Sequence, residues 1–268
     1  MQPGAYIINA QEYHAAPQYD AVSSGHFKHM EKSMQHYIYY RQNPPQKDIF
    51  DFGRLFHYAT LEPHRFENKV AVYRDGIRRG KAWDAFQESN KDKIIIKPPE
   101  YDQIRVMAAA AHNHPLASAI IRHKQAVIEE SLFWYDQATG EKCKCRPDIR
   151  IQSEGVIADL KGVESADKAS FAAACGRYYQ YQPPFYLDGA TAAVSPHDTF
   201  IFICVEKEPP HAVAIYQADY EFIEVGRVKY QELLLRYSQC KIENKWPGYP
   251  ADIQPISLPR WAMNLKEA

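Results

Sequence analysis

The stretch that most restricts how this chain can fold is residues 127–163, where two glycine-containing turns divide three strand-length runs. The runs are VIEESLFWYD, EKCKCRPDIRI and VIADLKGV, and the turns are QATG and SEG. Short runs rich in β-branched and aromatic residues, bounded by turn residues, read as strands. The segment therefore predicts a three-strand antiparallel meander. Its last run is apolar at Val156, Ile157, Ala158 and Leu160, yet it carries Asp159 and Lys161 two positions apart. Strand side chains alternate between faces, so these opposite charges share one face.

The turns set a register. A symmetric hairpin centred between Ser153 and Glu154 pairs residues whose numbers sum to 307, which puts Asp148 opposite Asp159 and Arg146 opposite Lys161. Directly opposed side chains have Cβ atoms roughly 4.5–5.5 Å apart. Two carboxylates at that distance repel, and one has its pKa raised. A hard divalent cation such as Mg²⁺ resolves the conflict, because it takes carboxylate oxygens together with water and phosphate oxygens. The first turn adds a third acid. With Gln137–Gly140 as a four-residue loop, Glu129 falls opposite Asp148; a loop of three or five residues presents Glu130 instead.

Elsewhere the pattern is helical. One helix is expected over residues 20–41, capped by Ser23 or Ser24 and ended by Asn43-Pro44-Pro45. A second covers residues 47–63, with Ile49, Phe52, Phe56 and Ala59 as its apolar stripe and Pro63 as its end. An alanine-rich helix follows the prolines at 98 and 99, with a break where His114 precedes Pro115. After the meander come a helical stretch from about Ser165 to Gly189, strands at 199–206 and 211–217, and a long helix from Asp219 to about Gln239. A Pro- and Trp-rich tail reads as an extended arm. This order predicts one mixed α/β domain over residues 1–268 with a helical N-terminal layer.

The net charge of −1 and pI near 6.8 exclude bulk attraction to a polyanion, so any nucleic-acid contact must come from local clusters. YRDGIRRGK, residues 73–81, is the best candidate. Gly76 and Gly80 give its backbone freedom, and Arg74, Arg78, Arg79 and Lys81 supply charge, the arginines with a planar fork suited to phosphate oxygens. Arg146, on the hairpin face of Lys161, is a further candidate. The five cysteines form no disulfide framework or zinc set and read as reduced thiols. No leader or membrane-spanning run is evident, and a cytoplasmic location is expected.

Asp148, a short connection and then Asp159-Leu160-Lys161 resemble the core of the PD-(D/E)XK nucleases, down to the Pro147-Asp148 dipeptide. GRLFH (53–57) and QPPFY (182–186) resemble the Gly-x-x-x-His and Gln-x-x-x-Tyr motifs of the RecB-like branch. EESLFWYDQATGEKCKCRPDI and the tail WPGYPADIQPISLPRWA resemble the nuclease domain of the exonuclease VIII (RecE) type, over nearly the whole chain. The resemblance implies a restriction-endonuclease-like mixed central sheet flanked by helices. It implies that Asp148, Asp159, His57 and the Leu160 carbonyl hold Mg²⁺, with Mn²⁺ able to substitute. Lys161 would position or activate the attacking water, and Gly53 would let the His57 helix pack closely on the sheet. Glu129, rather than Glu130, matches the family's upstream acid. Gln182 and Tyr186 would touch the DNA strand near the scissile phosphate.

Pro183 and Pro184 depart from the usual glutamine–tyrosine motif and are expected to start or kink their helix. Gly162 stands where relatives often carry threonine. The implied activity is digestion of double-stranded DNA from its ends, 5′→3′, leaving 3′ single strands. The implied partners are DNA ends, an annealing protein of the RecT type, and further copies of the chain in a ring, a tetramer by resemblance. Two other functions compete with it, a single-strand or structure-specific RecB-like nuclease and a nuclease-dead DNA-end clamp; the presence of Asp148, Asp159 and Lys161 speaks against the clamp.

Overall fold

The computed structural model describes residues 2–43 and 51–258. Strand β1 (Gly4–Tyr6) and helix α1 (Ala10–Ala15) lead into α2 (Ser24–Lys32) and α3 (Met34–Gln42). The single helix expected here is thus two. Ser33, extended at φ −178°, ends α2, and its hydroxyl accepts the His36 amide at 3.1 Å to cap α3. Helix α4 (Asp51–Leu61) is the described part of the second expected helix; Ile49 and the prolines at 44 and 45 lie outside the described residues. Pro63 opens α5 (Pro63–Lys69), as suits proline at a first helical position. Then come β2 (Val70–Val72), α6 (Lys81–Ser89) and β3 (Ile94–Ile96), followed by α7 (Pro98–Asn113) and α8 (Pro115–Ile121). The break at His114 falls where expected, and its ring accepts the Ala117 amide at 3.2 Å to cap α8.

The meander forms, but it is shared between two sheets. Its first run divides into β4 (Ala126–Ile128) and β5 (Ser131–Tyr135), and its second into β6 (Lys142–Cys145) and β7 (Ile149–Ile151). β5 and β6 join β1 in an antiparallel three-stranded sheet. β4 and β7 enter a five-stranded sheet with β8 (Val156–Val163), β9 (Thr199–Glu206) and β10 (Val213–Gln217), in the order β10-β9-β8-β7-β4. A parallel β2–β3 pair forms the third sheet. One register runs through both halves of the split hairpin, because Leu132↔Cys145 and Ala126↔Ile151 share the offset set by the four-residue loop. The Ile149↔Ala158 pairing of β7 with β8 is the register expected from the second turn. The strands part at Glu129, whose φ of 53° lies in the left-handed region that non-glycine residues seldom adopt.

β8 and β9 are parallel over eight residue pairs and form the middle of the large sheet. Alternation along them feeds two cores. Ile157, Phe200, Phe202 and Cys204 pack with α2, α10 (Gln182–Ala193) and α11 (Tyr220–Glu243) through Phe27, Phe185 and Tyr230. Ala158, Leu160, Ile203 and Val205 pack with α4, α7 and α8 through Leu55, Phe56, Met107 and Ile120. Each large side chain so buried contributes about 1.5–3 kcal/mol. α9 (Lys168–Ala174) and a π-helical turn, Cys175–Tyr179, precede α10, and Pro183 and Pro184 lie in its first turn as expected. All five cysteines are buried and free. Among the described residues, no helix is long and apolar enough to cross a membrane.

Candidate active site at the break of the hairpin

Asp159 projects from the middle of β8 and is 2% exposed; Asp148, just before β7, is 6% exposed. The Leu160 amide donates to Asp148 Oδ2 at 2.7 Å, which ties the two strands together at the acids. Asp159 forms an ion pair with Lys161 and accepts a hydrogen bond from Gln182 Nε2 at 2.5 Å. Its Oδ2 lies against the Lys161 ammonium but takes no well-aligned hydrogen bond. His57 comes from α4, in the helix layer on the Leu160 side, while Gln182 comes from α10 on the other. His57 Nδ1 lies 3.3 Å from Asp148 Oδ1 and 3.9 Å from Glu129 Oε1. Among the described residues, His57, Glu129 and Asp148 form a cluster whose ligand atoms all lie within 4.8 Å of one another.

The electrostatics follow from packing so many charges into a dry space. Burial raises the Asp159 pKa and the Asp148 charge adds to it, while Lys161 opposes both; the result is about 6. Burial acts on Asp148 in the same direction, but His57, Lys161 and the Leu160 amide overcome it and hold Asp148 below its ordinary value. Burial disfavours charge on His57, yet Asp148 and Glu129 raise its pKa to about 10. Lys161 is shifted upward because Asp159 and Asp148 outweigh burial.

The donor set fits a divalent cation: the Glu129 and Asp148 carboxylates are oxygen ligands of the kind a hard cation takes, and the His57 imidazole converges with them. Glu129 belongs to this cluster, whereas Asp159, expected as a direct ligand, is engaged by Lys161 and Gln182. Leu160 buries its side chain in the second core, and its amide serves Asp148.

Glu130 does not join the cluster. Its carboxylate takes Arg150 Nε at 2.6 Å in a buried pair. Arg146 also differs from expectation. Its Nε donates to Glu129 at 2.5 Å and its Nη1 to the Ile8 carbonyl at 2.8 Å, and its side chain is 9% exposed. Tyr186 lies one turn beyond Gln182 but faces inward against Phe200, with Ser24 at its hydroxyl. In the basic loop, residues 74–81 are exposed. Arg78 is anchored there to the Ile95 carbonyl at 3.0 Å and lies over the Trp83 ring.

The close approach of α4 to β8 occurs at Gly162, not at Gly53. A Cβ on Gly162 would meet Met107 at 3.3 Å and Phe56 at 3.5 Å, whereas one on Gly53 would meet nothing within 4 Å. Phe56 of the His57 helix and Met107 of α7 thus pack over Gly162 on the strand of Asp159. On the opposite side, Gly226 of α11 allows the turn before Gln182 to approach; a Cβ there would lie 2.2 Å from the Gln180 carbonyl. One residue escaped the sequence reading. Tyr179 places its ring 4.7 Å from Lys161 Nζ. Helical periodicity could not reveal this contact, because Tyr179 lies in a π-helical turn.

The sequence pattern of a family described as a PDDEXK-like domain of unknown function (DUF3799) matches residues 23–258. No curated protein matches the chain. A solved structure named "Putative exonuclease", from Eubacterium rectale, superposes with a TM-score of 0.56 at 15% identity, covering 97% of this chain and 100% of its own. A second, SSO0001, reaches a TM-score of 0.31 at 15% identity over 72% and 86% of the two chains, a level that supports no argument. The family pattern, matched over residues 23–258 and spanning Asp148 before β7 and Asp159 and Lys161 on β8, places this chain in the PDDEXK-like family.

Proposed function

We propose that this chain is a divalent-metal-dependent DNA nuclease that digests double-stranded DNA from its ends. The observation that carries this is the convergence of His57, Glu129 and Asp148 beside the Asp159–Lys161 pair, inside a PDDEXK-like fold. Support for end-directed action comes from the exonuclease VIII resemblance and from the name of the Eubacterium rectale structure.

A cation held by Asp148 and His57, with Asp159, Glu129 and the Leu160 carbonyl as further candidates, would polarise the phosphodiester and neutralise the leaving oxygen; Mg²⁺ is the proposed ion and Mn²⁺ a substitute. Lys161, paired with Asp159 beside that cluster, would position the attacking water. Gln182 fixes the Asp159 carboxylate. Digestion in the 5′→3′ direction, a ring of several copies and an annealing partner of the RecT type belong to the same proposal and rest on the resemblance.

Linear duplex labelled at either the 5′ or the 3′ end, with closed circular duplex and single strand as comparisons, tests it in Mg²⁺. Early release of 5′ label from linear duplex alone is the expected result. Cleavage of the circle would replace end-directed action with internal cutting, and preference for single strand would favour the RecB-like alternative. Inert DNA in all forms would overturn the proposal.

A further inference from the structure

Tyr178 and Tyr179 are adjacent yet face opposite ways. Tyr179 packs inward between Phe171 and Phe202, with its ring 4.7 Å from Lys161 Nζ. Tyr178 is 63% exposed, and the Arg177 guanidinium lies 5.8 Å from its ring centre. The two tyrosine rings are 6.2 Å apart, so a pair of ring contacts links the exposed surface to Lys161. Both lie in the π-helical turn Cys175–Tyr179. Its wider turn interrupts the α-helical side-chain spacing, and such turns are frequent at functional sites. The surface at Gly176 is open, since a Cβ there would meet nothing within 4 Å.

Phe171 of the preceding helix buries its ring; Tyr178 leaves most of its own in water. A flat aromatic face beside a planar cation suits one ligand chemistry well, the π-face of a nucleobase, with the guanidinium close to the attached phosphate. We propose that Tyr178 and Arg177 form a stacking platform for a base of the DNA strand whose backbone passes Lys161. The role of that strand rests on the nuclease reading; the stacking contact does not need catalysis. The platform selects no particular base, because every base presents a π-face. It favours an unpaired nucleotide, since a base within a duplex is already stacked on its neighbours.

The test uses the full chain in EDTA, which prevents metal-dependent cleavage, and single-stranded oligonucleotides carrying 2-aminopurine at successive positions. Stacking on tyrosine quenches this base. The expected result is quenching at one or two adjacent positions, lost in Tyr178→Ala and restored in Tyr178→Trp. Oligonucleotide affinity should weaken about 5- to 150-fold in Tyr178→Ala. Arg177→Ala should weaken binding and retain part of the quenching. Equal quenching and affinity in wild type and Tyr178→Ala would overturn the platform, and so would an absence of oligonucleotide binding by the wild type. Tyr178-dependent quenching in a chain that cleaves no DNA would retain the platform and remove the nuclease reading.

Discussion

Glu129 and Glu130 are consecutive in sequence but serve different cations, the first reaching Arg146 and His57 and the second enclosed with Arg150. Glu129→Gln should therefore lower activity by about tenfold or more, and should cost less stability than Glu130→Gln, because Arg146 keeps the Ile8 carbonyl and His57 keeps Asp148. Glu130→Gln should retain the metal cluster but cost about 3–5 kcal/mol, because it leaves Arg150 buried without its counter-charge. Parallel activity assays and urea denaturation separate the two. Glu130→Gln proving the more damaging to activity in a stable fold would reverse the assignment.

Asp159 carries its charge at a cost, being buried beside another carboxylate. Asp159→Asn should abolish turnover, while in the metal-free protein relief of the repulsion with Asp148 offsets part of the loss of the Lys161 counter-charge. Adding Mg²⁺ should raise the melting temperature of wild type more than that of the variant. A folded Asp159→Asn protein with full Mg²⁺-dependent activity would remove Asp159 from the chemistry.

Lys161 stands apart from the His57–Glu129–Asp148 cluster. Lys161→Ala should bind metal and DNA but lose turnover by roughly 10²–10⁴-fold, a range typical for a positioned group acting in the chemical step. Calorimetric loss of metal binding in this variant would make the lysine structural instead.

Arg146 and the 74–81 loop should respond differently to salt. Arg146→Lys should reduce activity by loosening Glu129, with the salt dependence of DNA binding unchanged. Arg74→Ala combined with Arg79→Ala should weaken DNA binding and flatten the slope of log affinity against log salt by about 0.9 per lost phosphate contact. A flattened slope in Arg146→Lys would show that Arg146 meets DNA after all.

Acid should destabilise the fold partly through His26, packed at 8% exposure against Tyr37. Burial, then Arg41 and Lys144, lower its pKa from 6.5 to about 3. The unfolded chain binds that proton first as pH falls. The stability contributed by neutral His26 is thus complete above pH 6.5 and is lost on the way down to pH 3, at about 1.4 kcal/mol per unit. His26→Gln should flatten the pH dependence of denaturation by about 2 kcal/mol between pH 6.5 and 5. Identical slopes in the two proteins would show that another group carries the acid sensitivity.

The acids of the site were legible because turn length and strand alternation are local properties. The SEG turn fixed Asp148 against Asp159, and the QATG loop fixed the offset that selects Glu129, once the loop was four residues long. The sharing of the meander between two sheets was not legible. It turns on the left-handed backbone of Glu129, and glutamate gives no signal for that conformation. Ser33 was hidden for a related reason, since a lone serine inside an otherwise helical pattern can remain helical. The pairing of Arg146 with Glu129 and the Ile8 carbonyl depends on where the N-terminal segment packs, a long-range contact that residue spacing does not encode.

The continuous register of the split hairpin makes the Gln137–Gly140 loop a remote determinant of chemistry. The loop sits at the far end of β5 and β6, past four paired residues, and touches none of the acids through its own ladder. Yet a single inserted or deleted residue there, if the strands slid to absorb it, would exchange the faces of Glu129 and Glu130. A surface turn that would ordinarily tolerate length variation is thereby under the same constraint as the clustered carboxylates, and drift in its length is a route by which a relative of this chain could lose its acid without any substitution at it.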